Sequence, residues 1–113
     1  MGNKFNIAFL EEAKQFLEEQ DKKTRAKILQ SIEKAQVLND KKFFKKLQGE
    51  IWEFRTYYNS KQYRLFAFWD KRHKNNTLVI ATHGLIKKQD AVPKKEIEKA
   101  QALRTQYFEQ EIE

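Results

Sequence analysis

The sequence lacks several features on which common protein chemistries depend. It has no cysteine, so neither disulfides nor thiolate metal sites can form. It has three glycines and neither the GxxxxGK[ST] nor the GxGxxG pattern of phosphate-binding loops. Its two histidines show no HExxH spacing, and no EF-hand pattern is present. We therefore expect no metal centre and no cofactor.

Long apolar runs are also missing from the chain. No stretch approaches the roughly 20 apolar residues that span a bilayer. The first nine residues lack the apolar segment of a secretory signal. We therefore expect a cytoplasmic protein without a membrane partner. The length of 113 residues predicts a single domain, residues 1–113, with an acidic tail over residues 109–113.

Positive charge is concentrated in the middle of the chain. Residues 1–40 are neutral overall and residues 96–113 carry a net charge of −3, whereas residues 41–95 carry 14 Lys and Arg against 4 acidic residues. A cationic segment of this kind is typical of proteins with a polyanionic partner, since Lys and Arg supply most sequence-independent affinity for nucleic acids. The alternative is a solvated surface that keeps the protein soluble, but the uneven distribution favours a binding face.

Periodicity predicts the secondary structure. In the amino-terminal part, alternation indicates a short strand over residues 4–8, helical spacing begins at Phe9, and Asp21 is a candidate N-cap for a second helix. Residues 45–49 are interpreted as a connector. Three strands and a carboxyl-terminal helix follow, at residues 51–58, 63–69 and 77–85 and from Pro93 onward.

These elements predict the fold class. We expect a small α+β domain, in which an antiparallel sheet packs with an amino-terminal helical hairpin and a carboxyl-terminal helix. In the first of the three strands, Trp52, Phe54, Thr56 and Tyr58 should face one way, and Ile51, Glu53, Arg55 and Tyr57 the other.

Several groups that could act on a phosphodiester lie on or beside the predicted strands: Glu53, Arg55, Arg64, His83, Lys87 and Lys88. They suit RNA cleavage by the RNA's own 2′-hydroxyl, which needs cations at the phosphate and an acid and a base, but no metal. Arginine fits the phosphate role because its fork stays charged and bonds two oxygens. Glu53, His83 or a lysine would be base or acid, and Tyr57, Tyr58 or Trp69 would stack on a base.

Several of these residues also have a structural interpretation, and Lys87 and Lys88 would simply be a solvated edge of the sheet. Arg55 or Arg64 would form an internal salt bridge with Glu53, because an arginine in an apolar strand needs a partner. His83 would be a hydrogen-bonded histidine of the core or of the sheet edge.

Short motifs in a fixed order resemble a known group of proteins. They are Leu47-Gln48-Gly49, Ile51-Trp52-Glu53-Phe54-Arg55, Tyr63-Arg64, His83-Gly84-Leu85-Ile86-Lys87-Lys88, and then Pro93, Glu96, Ala100 and Arg104. Over residues 43–108 the chain resembles the RelE/ParE toxin superfamily, in particular its HigB-like, phage-derived branch. The resemblance implies a RelE-like fold and the toxin of a type II toxin–antitoxin pair, which cuts translated mRNA at the ribosome without a metal. It also implies functional positions at Arg55, Arg64, Lys87 and Lys88.

The resemblance further implies partners. These are mRNA and the ribosome, and a cognate antitoxin with a DNA-binding helix-turn-helix. Four lysines would extend the RNA-binding face: Lys41, Lys42, Lys45 and Lys46. Two alternatives stay open, a ParE-like inhibitor of DNA gyrase that is not a nuclease, and an inactive phage-derived module that binds nucleic acid or an antitoxin.

Overall fold

A five-stranded sheet with helices on both faces forms the protein. The computed structural model describes residues 4–72, 77–88 and 91–110. In chain order the elements are β1 (Asn6–Phe9), α1 (Glu11–Glu18), α2 (Lys22–Val37), β2 (Phe44–Gln48), β3 (Ile51–Tyr58), β4 (Lys61–Asp70), β5 (Leu78–Lys87) and α3 (Lys94–Gln110). The strand order in the sheet is β1-β5-β4-β3-β2. The predicted α+β class is therefore confirmed.

The carboxyl-terminal end is helical for longer than the sequence suggested. Glu109 and Gln110, the first residues of the expected acidic tail, are the end of α3, and residues 111–113 lie outside the described residues. Among the described helices, none has the length and apolar character needed to cross a membrane.

The helical hairpin is held together at its tight turn. Asp21 caps α2 as predicted, because its Oδ1 accepts a hydrogen bond of 2.8 Å from the backbone N–H of Thr24. Arg25 reaches back and donates from Nε to the carbonyl of Leu17 at 2.9 Å and from Nη2 to that of Gln20 at 2.9 Å. These bonds connect the first turn of α2 to carbonyls at the end of α1 and in the turn.

The two outer strands depart from the expectation. Residues 45–49 are not a connector, because Phe44–Gln48 forms β2 and pairs antiparallel with β3. The strand was missed because its register shifts between Lys46 and Gln48, so its side chains do not alternate regularly. The strand β1 is paired in parallel with β5, from Asn6 opposite Leu78 onward. A pairing across that sequence distance leaves no local signal.

The hairpin between β3 and β4 turns in two residues. Asn59 and Ser60 both have positive φ, 54° and 64°, as a type I′ turn requires. The turn is therefore shorter than expected, and β4 begins at Lys61.

Apolar side chains cover both faces of the central strands. On one face, α1 and α2 pack on Phe54, Leu65 and Val79. On the other, α3 packs on Phe66 and Phe68. One glycine allows α1 to approach: a Cβ at Gly84 would lie 2.2 Å from the Phe16 ring. This double burial explains why β4 is apolar at every position from Leu65 to Trp69.

Candidate nucleic-acid interface

The strand register brings two arginines together. Arg55 of β3 and Arg64 of β4 are directly opposite each other, and Glu53 is opposite Phe66. Residues opposite each other in an antiparallel pair share a face, so these four side chains lie on the face that carries α3. Because α3 packs on Phe66, the arginine pair lies just beyond the apolar part of this face.

One buried carboxylate serves both arginines. Oε1 of Glu53 lies 3.2 Å from Nε of Arg64, and Oε2 lies 3.6 Å from Nε of Arg55. The side chain of Arg64 is 3% exposed and that of Arg55 is 33% exposed. The salt bridges considered from the sequence are therefore present, and both arginines make one.

The charges in this group are incompletely compensated. Burial raises the pKa of Glu53, an effect that Arg64, Arg55, Lys87 and Lys45 oppose. Burial also lowers the pKa of Arg64, which Glu53 opposes and Arg55 reinforces. Although the ion pair is close, neither Oε1 of Glu53 nor Nε of Arg64 has a hydrogen bond of good geometry. Two guanidinium groups thus share one carboxylate that is itself poorly stabilised.

The other nitrogens of Arg64 have partners near the surface. Nη1 donates to the carbonyl of Tyr63 at 3.2 Å, and Nη2 donates to Oε1 of Gln62 at 2.6 Å. Gln62 is exposed. Its amide therefore covers the guanidinium of Arg64, and a change of its rotamer would uncover one edge of that group.

A cavity of about 420 Å³ opens beside the arginine pair. Strands β3 and β4 contribute Arg55, Thr56, Tyr57, Gln62 and Arg64 to its lining. The helix α2 and the segment that follows it contribute Lys27, Gln30, Ser31, Lys34, Lys42 and Phe43. Of the described residues that line it, five are cationic and none is acidic. Such a lining attracts anions.

The lysines predicted from the sequence are distributed around this site. Lys87 is opposite Gln62 on β5 and so shares the face of the arginines. Lys45 is opposite Glu53 and lies on the same face, whereas Lys46 is opposite Trp52 and lies on the other. Lys42 lines the cavity.

Lys41 and Lys88 lie in the surroundings of the site. The carbonyl of Lys41 is 3.5 Å from Nη1 of Arg55, a weak contact. Lys88 is exposed and directly follows β5.

One exposed aromatic ring lies at the site. Tyr57 is 71% exposed, and it follows Arg55 by two residues on the same strand face. The other two candidates for stacking are less accessible. Tyr58 is half-buried beneath the ammonium group of Lys27, and Trp69 packs against Phe5 in the core.

His83 lies elsewhere. Its Nε2 is 3.0 Å from Oε1 of Glu96 in α3, and its Nδ1 is 3.0 Å from Oγ1 of Thr82. Burial lowers the pKa of His83, although the bond to Glu96 opposes this. The depression beside His83 shares no lining residue with the cavity at the arginines. The geometry agrees with a hydrogen-bonded histidine that connects α3 to the sheet.

Sequence reasoning missed the residues that α2 and Gln62 contribute. Lys27, Gln30, Ser31 and Lys34 have helical spacing, so a polar stripe beside the apolar one was detectable. Nothing in the sequence indicated that this stripe faces β3, because β2 was not recognised and the edge of β3 was therefore unknown.

The architecture, a helical hairpin and a third helix on a mostly antiparallel sheet with a cationic cavity, agrees with the class of small RelE/ParE-like toxins. The family described as "Phage derived protein Gp49-like (DUF891)" matches residues 15–105. The chain therefore belongs to the Gp49-like phage-derived family, a part of the RelE/ParE-like toxin superfamily. No curated protein matches it significantly.

Proposed function

We propose that the protein is the toxin of a type II toxin–antitoxin pair, of the HigB-like branch. We propose that it acts in the cytoplasm as a metal-independent endoribonuclease on mRNA that is being translated at the ribosome. Membership of the Gp49-like family supports the toxin role. The nuclease role is supported above all by one observation, that Arg55 and Arg64 meet at a cavity whose described lining contains no acidic residue.

The chemistry needs only groups that this chain carries. The 2′-oxygen of the RNA would attack the neighbouring phosphorus, and the bond from phosphorus to the 5′-oxygen would break, leaving a 2′,3′-cyclic phosphate. Arg55 and Arg64 would stabilise the charge on the phosphate oxygens. The raised pKa of Glu53 suits a group that accepts the proton of the 2′-hydroxyl. Lys87 would supply a proton to the leaving 5′-oxygen.

The remaining residues would bind rather than react. Tyr57 would stack on a base next to the cleaved bond. The outer lysines would contact RNA, including that of the ribosome: Lys41, Lys42, Lys45, Lys46 and Lys88. His83 would hold α3 on the sheet, and it would take part in proton transfer only if RNA reached the depression beside α3. A cognate antitoxin with a helix-turn-helix and an acidic segment would cover the cationic cavity.

The test compares two arginines that each pair with a buried carboxylate. Arg64→Ala should abolish growth arrest on induction and lower the cleavage rate by about 10²–10³-fold, the effect of losing one preorganised donor. Arg72→Ala, at the opposite end of β4, should leave growth arrest in place. Circular dichroism would check that both variants fold, and Arg55→Ala tests the same role at a more exposed position.

The same cells distinguish the alternatives. Primer extension after induction should find new mRNA ends within translated codons. Intact mRNA with DNA damage would instead indicate inhibition of gyrase. Normal growth at confirmed expression would indicate an inactive module, and full toxicity of Arg64→Ala would refute the role given to Arg64.

A further inference from the structure

One wall of the cavity has no role in the proposal above. Lys27, Gln30, Ser31 and Lys34 lie at positions i, i+3, i+4 and i+7 of α2, and all four line the cavity. Such spacing forms a single stripe along a helix. We propose that this stripe, the α2 wall, binds the backbone of single-stranded RNA, with Lys27 and Lys34 contacting phosphates that follow the one held by the arginines. The inference rests on the proposed function for the identity of the bound chain.

The two ammonium groups are positioned without being neutralised. Nζ of Lys27 lies 5.8 Å from the centroid of the Tyr58 ring, and Nζ of Lys34 lies 5.5 Å from that of Phe43. A ring face attracts a cation but leaves its charge uncompensated. Within the described part of the chain, neither lysine has a carboxylate partner. Lys99 contrasts with them, because its Nζ is 2.6 Å from Oε2 of Glu12.

The spacing suits an extended chain rather than one anion. Lys34 lies seven positions after Lys27 in the helix, which places the two residues about 10 Å apart along the helix axis. Successive phosphates of one strand suit this spacing better than a single phosphate does. Between the lysines, Gln30 and Ser31 supply neutral groups that donate and accept hydrogen bonds.

The opposite side of the cavity leaves room for such a chain. The pairing of β2 with β3 ends at Phe54, with one further backbone bond of 2.8 Å from Arg55 to Phe43. Residues 56–58 of β3 continue past the end of β2, with Tyr57 largely exposed. The excess of cations among the described lining residues favours a polyanion as the bound partner.

The test measures binding without cleavage. The probe is a labelled single strand of 2′-O-methyl RNA, which lacks the hydroxyl that the proposed reaction requires. Its affinity for the intact protein is followed by fluorescence anisotropy over a range of salt concentrations. Lys27→Gln with Lys34→Gln should flatten the plot of log affinity against log salt by about 1.4, because each phosphate contact on a single strand contributes about 0.7.

One control removes the same net charge at other positions, and a second keeps the charge at the same positions. Lys14→Gln with Lys22→Gln removes the same net charge from exposed positions outside the cavity lining, and it should change the slope much less. Lys27→Arg with Lys34→Arg should keep the wild-type slope. An equal change in slope in both glutamine pairs, or no change in the first, would overturn the inference.

The results also separate this inference from the proposed function. A reduced slope for the first pair, in a protein that cuts no RNA, would leave the α2 wall in place and refute the nuclease. No binding of the probe by the wild type would refute the α2 wall as an RNA site even if growth arrest occurs. Displacement of the probe by polyglutamate at equal charge concentration would instead assign the wall to an acidic polypeptide and overturn the inference.

Discussion

A buried carboxylate lies beside an arginine near each end of β4, and the two groups have opposite consequences. At one end Asp70 accepts hydrogen bonds from Nε and Nη2 of Arg72, at 2.9 and 2.7 Å, and from the hydroxyl of Tyr107 at 2.8 Å. These bonds hold the pKa of Asp70 well below its usual range. Near the other end Arg64 of β4 shares Glu53 of β3 with Arg55, yet the pKa of Glu53 is raised.

The difference lies in hydrogen bonding and charge balance. Asp70 has one arginine, and the side chain of Arg72 is 38% exposed, so water solvates the rest of its charge. Glu53 and Arg64 are both buried, and a second arginine leaves net positive charge beside the cavity. A satisfied ion pair holds a fold together, whereas an unsatisfied one retains the capacity to bind an anion.

The largest expected effect on stability concerns the hydrogen-bonded ion pair of Asp70 and Arg72. Asp70→Asn should lower the free energy of unfolding by about 2 kcal/mol, because charge-assisted hydrogen bonds to Arg72 and Tyr107 are lost while the partial exposure of Arg72 limits the cost. Urea unfolding would measure this. RNA affinity should not change. A loss of RNA affinity in a folded variant would show that the Asp70 ion pair is not purely structural.

A pair of aromatic substitutions should give smaller effects of different kinds. Tyr57→Ala should weaken RNA binding by about 1–2 kcal/mol through lost stacking and leave unfolding unchanged, since the ring is exposed. Tyr107→Phe should lower stability by about 1 kcal/mol through one lost hydrogen bond and leave RNA binding unchanged. RNA affinity and the free energy of unfolding would be measured for both variants. Equal effects of the two substitutions on either property would contradict the assignment of Tyr57 to RNA binding and of Tyr107 to stability.

The smallest expected effect on stability is that of Glu53→Gln. Because burial disfavours the ionised form of Glu53, a neutral amide of the same shape should cost less than about 1 kcal/mol near neutral pH. Affinity for RNA should rise, since a negative charge beside the arginines is removed. Urea unfolding and fluorescence anisotropy would measure the two effects, and a loss of stability as large as that of Asp70→Asn would show that the two ends are equivalent.

The pH dependence of the two amide variants should have opposite signs. The pKa of Glu53 is raised, so the stability that its protonated form contributes is fully present below about pH 4 and is lost as pH rises through the folded pKa. The pKa of Asp70 is lowered, so its contribution is present above about pH 4 and is lost as pH falls. On acidification the wild type should therefore gain stability relative to Glu53→Gln and lose it relative to Asp70→Asn.

Much of the local structure could be predicted from the sequence. The alternation in residues 51–58 predicted correctly that Glu53 and Arg55 share a face and that Phe54 lies on the other. The N-cap at Asp21 was also recognised, and the last helix, expected from Pro93 onward, begins at Lys94. These features depend on neighbours in the chain, which interact in the same way in any fold that contains the element.

The composition and order of the residues therefore determined the type of every element except β2, the α+β class and the presence of an excess of cations. The tertiary structure alone decided that β1 pairs in parallel with β5, that β2 stops short of the end of β3, and that Lys27 and Lys34 line one cavity with Arg55 and Arg64. The physical reason is that charge compensation and burial depend on residues distant in sequence. Whether an arginine is satisfied or left with unbalanced charge follows from what the packed chain places around it.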